Sequence, residues 1–175
     1  MKTIQTICLG VLLLTIGTAN AAAPFGGDAD VKYAKNLWTT MVNSSYAGKG
    51  SIMSQPYTGQ HPHGAILDTI RGPINIDGKL LNIIIKRNYG GPGVSKETVA
   101  NDPEKYLKAV TVMLKRPGYD AVTKDWFWVK YKADGSIDTN PKGMKLAGKV
   151  AKGKPKGCIA CHTAAPGGDM VFTSD

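Results

Sequence analysis

Residues 158–162 read Cys-Ile-Ala-Cys-His, and this pentapeptide constrains the fold more than any other stretch of the chain. Two thiols separated by two residues and followed directly by an imidazole form the attachment signature of c-type haem. Cys158 and Cys161 would bond to the two vinyl groups of one haem, and His162 would bind its iron as the proximal ligand. We therefore predict one covalently attached haem c, close to the C-terminal end of the chain.

Three other uses of a Cys-x-x-Cys pair remain open: a redox-active dithiol, half of a zinc site and a plain disulfide. A structural zinc site usually needs four ligands. Beyond the motif and the first 21 residues, the only further cysteine or histidine side chains are His61 and His63. The ligand count therefore favours haem over zinc.

Residues 1–21 have the pattern of a secretory signal peptide, and residues 22–175 then form a single domain. Lys2 supplies the positive start, residues 7–16 form a short apolar core, and Ala-Asn-Ala at 19–21 is a cleavage site. The apolar run is too short to span a bilayer, although a retained anchor is the alternative. Since covalent haem attachment takes place outside the cytoplasm, we expect a bacterial periplasmic protein without a membrane anchor.

Basic side chains outnumber acidic ones by 22 to 13, for a formal net charge of +9. A local cluster precedes the haem motif and comprises Lys142, Lys145, Lys149, Lys152, Lys154 and Lys156. This cluster is either a solvated face that aids solubility or a docking surface for an acidic redox partner. The chain contains no nucleic-acid recognition motif, so we expect no nucleic-acid partner.

The apolar spacing predicts an α+β fold, a predominantly antiparallel β-sheet with a few helices. We predict a helix over 28–42 capped by Asp28, a long loop over 43–63, strands over 65–70, 80–86, 109–115 and 125–131, and short helices over 103–108 and 144–149. The aromatic residues at 126–128 are most simply core, with a role in lining the haem as the alternative. Strands before a C-terminal haem motif disfavour the all-helical small cytochromes c.

The strands, the C-terminal haem motif and the Asp-Met-Val-Phe-Thr sequence at 169–173 together resemble the cytochrome P460 family, which includes the β-sheet cytochromes c′ (cytochrome c′-β). Residues 78–86 are similar to the family strand that ends in a lysine facing the haem. Residues 125–131 are similar to the aromatic strand that precedes the haem segment. The resemblance implies an antiparallel sheet, a few helices and often a homodimer.

In cytochromes P460 proper, a lysine is bonded covalently to the haem macrocycle, and those proteins oxidise hydroxylamine, with nitric oxide chemistry at the iron. Lys86 is the position that matches this lysine. The resemblance thus implies that Lys86 binds haem and takes part in catalysis. A Lys86 that faces the haem without a bond, or that lies in solvent, are the alternatives.

His61 and His63 depart from the family pattern. Imidazole is a common sixth ligand of haem iron, and Pro62 restrains the backbone so that both rings should not bind one iron together. One of them, by preference His63 beside the predicted strand, would cap the iron or act as a distal acid or base. Two histidines in a surface loop are the third interpretation.

Three functions follow from these features. The first is redox chemistry on hydroxylamine, nitric oxide or a related small nitrogen species, which Lys86 favours. The second is electron transfer by a six-coordinate iron, which His61 and His63 favour. The third is nitric oxide binding like that of cytochrome c′-β. Arg71 and Arg87 are candidate partners of the haem propionates, on charge alone.

Overall fold

The computed structural model describes residues 24–172, so the predicted signal peptide lies outside the described residues. The helices are α1 (Asp28–Asn43), α2 (Lys96–Asn101), α3 (Pro103–Tyr106) and α4 (Cys158–His162). The strands are β1 (Tyr57–Thr58), β2 (Ile66–Ile76), β3 (Lys79–Tyr89), β4 (Leu107–Lys115), β5 (Trp126–Lys132) and β6 (Ala147–Gly148). The predicted α+β class is confirmed. Among the described residues, no helix is long and apolar enough to cross a membrane.

The strands form one six-stranded sheet in chain order, and every neighbouring pair is antiparallel. The hairpin between β2 and β3 turns at Asp77 and Gly78, whose φ angles are 51° and 79°. Positive φ at both central residues is characteristic of a two-residue type I′ turn, whose twist matches that of the flanking strands. The turn fixes the register, which pairs Ile76 with Lys79 at the tip and Ile66 with Tyr89 at the far end.

One face of the sheet is covered by α1. The helix buries Ala34, Leu37 and Met41, which lie three and four positions apart and so share one face. They pack on alternate residues of the central strands, including Ile83, Ile85, Val110, Val112, Leu114, Phe127, Val129 and Tyr131. The Tyr131 hydroxyl donates a 2.6 Å hydrogen bond to the Ala34 carbonyl, which ties α1 to β5. The helix itself begins after Gly27, and Asp28 lies in its first turn rather than at the predicted cap.

The other face of the sheet is covered by the C-terminal segment. Successive side chains of a strand point to opposite faces, so Met113, Trp126 and Trp128 turn away from α1. They pack against Ile159 of α4 and Met170 beyond it. The predicted run of three aromatics is thus divided, with Phe127 in the α1 core and both tryptophans beneath the haem motif. Strand alternation therefore separates a structural face from a face that holds the candidate chemistry.

The predicted helix over 144–149 is wrong. Ala147–Gly148 is a short strand beside β5, and the Lys130 N–H donates to the Leu146 carbonyl at 2.9 Å. Gly148 has a φ of 89°, and a Cβ there would lie 2.0 Å from an Asp30 carboxylate oxygen. Sheet pairing and this close approach override the local helical spacing.

The strand predicted over 65–70 runs on to Ile76 despite Gly72 and Pro73. Short β1 pairs only with Ile66 and Leu67, so the outer side of β2 at Pro73 has no neighbouring strand among the described residues. A proline without an N–H is tolerated on such an edge. Helix α2 was not predicted from the sequence. It begins with a capping box in which the Ser95 hydroxyl accepts from the Thr98 N–H at 3.2 Å.

Candidate haem-binding site

The two motif cysteines lie on helix α4. Cys158 and Cys161 are three positions apart, which places them on the same side of one helical turn. The Cys158 side chain is half-buried and that of Cys161 is exposed. Burial raises the pKa of the Cys158 thiol. Within residues 24–172, no three His, Cys, Asp or Glu side chains come close enough to hold a metal ion, so the zinc alternative lacks ligands there.

His162 is held in the tautomer that a metal-binding imidazole needs. Its Nδ1 lies 2.7 Å from the Met170 carbonyl oxygen. A carbonyl only accepts, so Nδ1 carries the proton and Nε2 keeps a bare lone pair. A backbone carbonyl behind a ligating imidazole is a common support of metal sites. Burial lowers the pKa of His162, which favours the neutral, ligating form.

Aromatic side chains surround this imidazole. The centroid of the Trp128 ring lies 4.8 Å from that of the His162 ring, and the Phe172 centroid lies 5.3 Å from it. Both contacts are edge to face. The Trp128 Nε1–H is buried and has no hydrogen-bond partner in the described part of the chain. An orphaned indole donor is costly unless a bound group supplies an acceptor. Apolar walls, one orphaned donor, paired thiols and a bare imidazole nitrogen together fit a covalently attached haem.

Lys86 lies on the same face of the sheet. In β3, Ile83 and Ile85 point into the α1 core, so Lys86 points to the side of the haem motif. Its side chain is half-buried, and burial and then the charge of Arg71 lower its pKa. Within residues 24–172, the Lys86 ammonium forms no salt bridge. The structure therefore places Lys86 on the sheet face that carries the haem motif, while its contact with haem and its role in catalysis stay predictions.

The structure also brings His63 to this site. Its ring centroid lies 6.4 Å from that of His162, with the two ring planes at 89°. The His63 Nδ1 lies 3.0 Å from the Oδ1 of Asn88. Burial, followed by the charge of Lys86, lowers the pKa of His63 to about 4, so the ring is neutral near pH 7. His61 is exposed in the same loop, so only one of the two predicted histidines approaches His162.

The two arginines have different positions. Arg71 donates from Nη2 to the Phe172 carbonyl at 3.1 Å, which fastens the C-terminal segment over the sheet. Arg87 is 5% exposed and pairs with fully buried Asp68 at 2.8 Å. Because Arg87 points to the α1 side of β3, the suggestion that it contacts a haem propionate is wrong. Buried charges need a partner, and Asp68 lies beside Arg87 only after the hairpin forms.

Sequence reasoning missed two contributors to the site. Asn88 is a buried strand residue whose amide oxygen faces His63. Met170 contributes its backbone carbonyl to His162, a contact that its side-chain type does not indicate. A polar residue two positions beyond Lys86, and so on the same face of β3, was the only signal available for Asn88.

A protein-family model described as Cytochrome P460 matches residues 82–173 of the chain. The match begins within β3, includes Lys86 and ends beyond the haem motif. No curated protein and no solved structure matches the chain.

Proposed function

Because this chain belongs to the cytochrome P460 family, which implies a c-type cytochrome with covalently bound haem, we propose that it is a periplasmic redox protein acting on small nitrogen species. Hydroxylamine and nitric oxide are the proposed substrates. The observation that carries this proposal is the placement of Lys86, half-buried and without a salt-bridge partner in residues 24–172, on the sheet face shared with His162.

Each residue of the site has a distinct task in this proposal. Cys158 and Cys161 would anchor the haem, and His162 would bind its iron through Nε2. When bound, the haem supplies a redox-active iron to which small nitrogen species coordinate. Trp128 and Phe172, whose rings pack edge to face against His162, would limit the access of water to the imidazole.

Two polar side chains of the site, Lys86 and His63, would donate or accept protons during the reaction. Burial lowers the pKa of Lys86, so its ammonium gives up a proton more readily than a solvated lysine does. His63 faces the same site, and its bare Nε2 can accept a proton or bind the iron itself. Lys86 linked to the macrocycle would instead change the electronic properties of the haem.

A second candidate function is electron transfer to an acidic partner. Lys154 and Lys156 are exposed immediately before α4, close in sequence to both thiols. Lys152 is instead paired with Asp120 at 2.7 Å. A basic patch beside the haem attachment site would steer an acidic redox protein toward it.

The test uses the full chain, produced in a bacterial host that matures c-type cytochromes. We expect a pyridine haemochrome of the c type and recovery of the haem protein from the periplasmic fraction. Hydroxylamine should then reduce an added electron acceptor only in the presence of the protein, and nitric oxide should change the optical spectrum. A stable haem protein that neither oxidises hydroxylamine nor responds to nitric oxide would leave electron transfer as the function.

A further inference from the structure

We propose that His63 and His162 form an axial pair, in which both imidazoles bind one haem iron through Nε2, and that Asn88 is the positioning residue for His63. This inference deepens the proposed function, since it rests on the same covalently bound haem. It adds the identity of the sixth ligand and the residue that orients it. It does not depend on which nitrogen species reacts.

Hydrogen bonds fix the orientation of the Asn88 amide. Its Nδ2 donates to the Lys86 carbonyl at 2.8 Å, and it also lies 3.3 Å from the Ala109 carbonyl and 3.2 Å from Thr111 Oγ1. These contacts surround the amide nitrogen with acceptors, so the oxygen must be the atom that faces the loop. Oδ1 indeed receives the Gly64 N–H at 3.3 Å.

This orientation decides the tautomer of His63. Amide oxygens only accept, so the 3.0 Å contact requires His63 Nδ1 to carry the proton. The Nε2 of His63 is then unprotonated, and it has no hydrogen-bond partner within residues 24–172. The ring therefore presents a bare lone pair while its other nitrogen is anchored to β3.

His162 has the same arrangement on the other side. Its Nδ1 donates to the Met170 carbonyl, and its Nε2 is bare. Each imidazole is thus supported from behind by a carbonyl-type oxygen and offers the opposite nitrogen. Two imidazoles in this tautomer, one from α4 and one from the loop before β2, are the ligand set of a six-coordinate haem iron.

The separation of the rings agrees with this role. A metal–imidazole bond of about 2.0–2.1 Å, with roughly 1.1 Å from nitrogen to ring centre, places two rings that share one ion about 6.3 Å apart. The observed centroid separation is 6.4 Å, and the ring planes are perpendicular at 89°.

The pair also indicates which ligand leaves when a substrate binds. His162 adjoins Cys161 on α4, so two thioethers would tether it to the haem. His63 lies in a loop outside the strands and depends on its hydrogen bond to Asn88. An external ligand would therefore displace His63, and the His63–Asn88 bond would set how readily the iron becomes available.

The first test compares His63→Ala with His61→Ala as the matched control, since His61 is an exposed neighbour in the same loop. We expect low-spin optical and electron paramagnetic resonance spectra for the wild type and for His61→Ala. The perpendicular planes should give a strongly anisotropic ferric signal. His63→Ala should become high-spin, and added imidazole should restore the low-spin form.

The second test addresses Asn88. Asn88→Asp keeps an acceptor for His63 Nδ1, whereas Asn88→Leu removes it at similar volume. We expect Asn88→Asp to stay low-spin, and Asn88→Leu to contain a high-spin fraction and to bind added imidazole or cyanide faster. Haem content shows whether each variant folds and matures. If neither variant differs from the wild type in spin state or ligand-binding rate, Asn88 is not a positioning residue.

A high-spin wild type, or a low-spin spectrum that survives in His63→Ala, would overturn the axial pair. Either result would leave the proposed chemistry with nitrogen species intact. A wild type that carries no c-type haem would overturn both proposals together. A low-spin wild type that fails to oxidise hydroxylamine or respond to nitric oxide would support the axial pair and contradict only the proposed substrates.

Discussion

At the scale of single residues, the site depends on atoms that hold the ligands rather than on the ligands alone. His162 is usable because the Met170 carbonyl occupies its Nδ1, and His63 because the Asn88 amide does so. Removing such a support leaves a residue of the right type in the wrong tautomer. Substitutions at Asn88 should therefore change the haem spectrum through the orientation of His63.

Each of the two cysteines should form its thioether bond to the haem independently of the other. We expect Cys158→Ala and Cys161→Ala each to retain haem through the remaining thioether, and the double variant to lose covalent attachment. Haem-stained denaturing gels and the mass of the purified chain measure the outcome. Because each single variant keeps one unsaturated vinyl group, its pyridine haemochrome should shift to longer wavelength. Covalent haem in the double variant would contradict the assignment.

Lys86 should matter for turnover more than for haem binding. Positioned proton donors contribute roughly 100-fold or more to rate. We expect Lys86→Met to lower hydroxylamine oxidation by about that factor while retaining covalent haem. Lys79→Met is the matched control, since Lys79 is exposed at the start of the same strand. Equal activity in both variants would exclude a catalytic Lys86, and mass spectrometry of digested protein would show any bond to the haem.

At the scale of elements, the alternation of strand residues divides the molecule into two halves with different tasks. Helix α1 packs on one face and the C-terminal segment on the other. The same β5 supplies Phe127 to the first and Trp128 to the second. Stability and haem chemistry should consequently be separable by mutation.

Leu37→Ala in α1 would test whether stability and haem chemistry are separable. Leu37 is fully buried, and truncation of such a side chain costs about 2–5 kcal/mol of unfolding free energy. The control is Val42→Ala in the same helix, where the side chain is 41% exposed and we expect little change. Chemical denaturation followed by circular dichroism measures both. The haem spectrum of folded Leu37→Ala should match the wild type, and a changed spin state would contradict the separation.

At the scale of the whole molecule, the fold determines which of the basic side chains can dock a partner. The formal net charge is +9, but not every lysine is available for docking. Lys152 is paired with the Asp120 carboxylate at 2.7 Å. Lys154 and Lys156 remain exposed beside α4. A specific basic surface is therefore smaller than the sequence cluster indicates.

Electron exchange with an acidic redox protein should depend on that surface. We expect Lys154→Glu combined with Lys156→Glu to slow the exchange several-fold at low ionic strength, and the difference to vanish in high salt. The control is Lys32→Glu with Lys35→Glu, which changes the same charge on α1 across the sheet. Stopped-flow kinetics measure both. Equal slowing in the two double variants would show an effect of net charge rather than a docking surface.

The haem motif, helix α1 and the main strands were predictable from the sequence. Each depends on residues within one motif or one periodic segment, where local spacing determines the geometry. The short strand at Ala147–Gly148 was mispredicted because its pairing with β5 overrides local preference.

Only the tertiary structure decided which histidine faces His162, that Asn88 fixes its tautomer, and that Arg87 is a buried partner of Asp68. The Arg87–Asp68 and His63–Asn88 contacts join residues 19 and 25 positions apart, and His63 lies 99 positions before His162. A sequence specifies which side chains are present and which face of a strand they occupy. Distances between elements arise only when both faces of the sheet are covered, because packing across the sheet sets them.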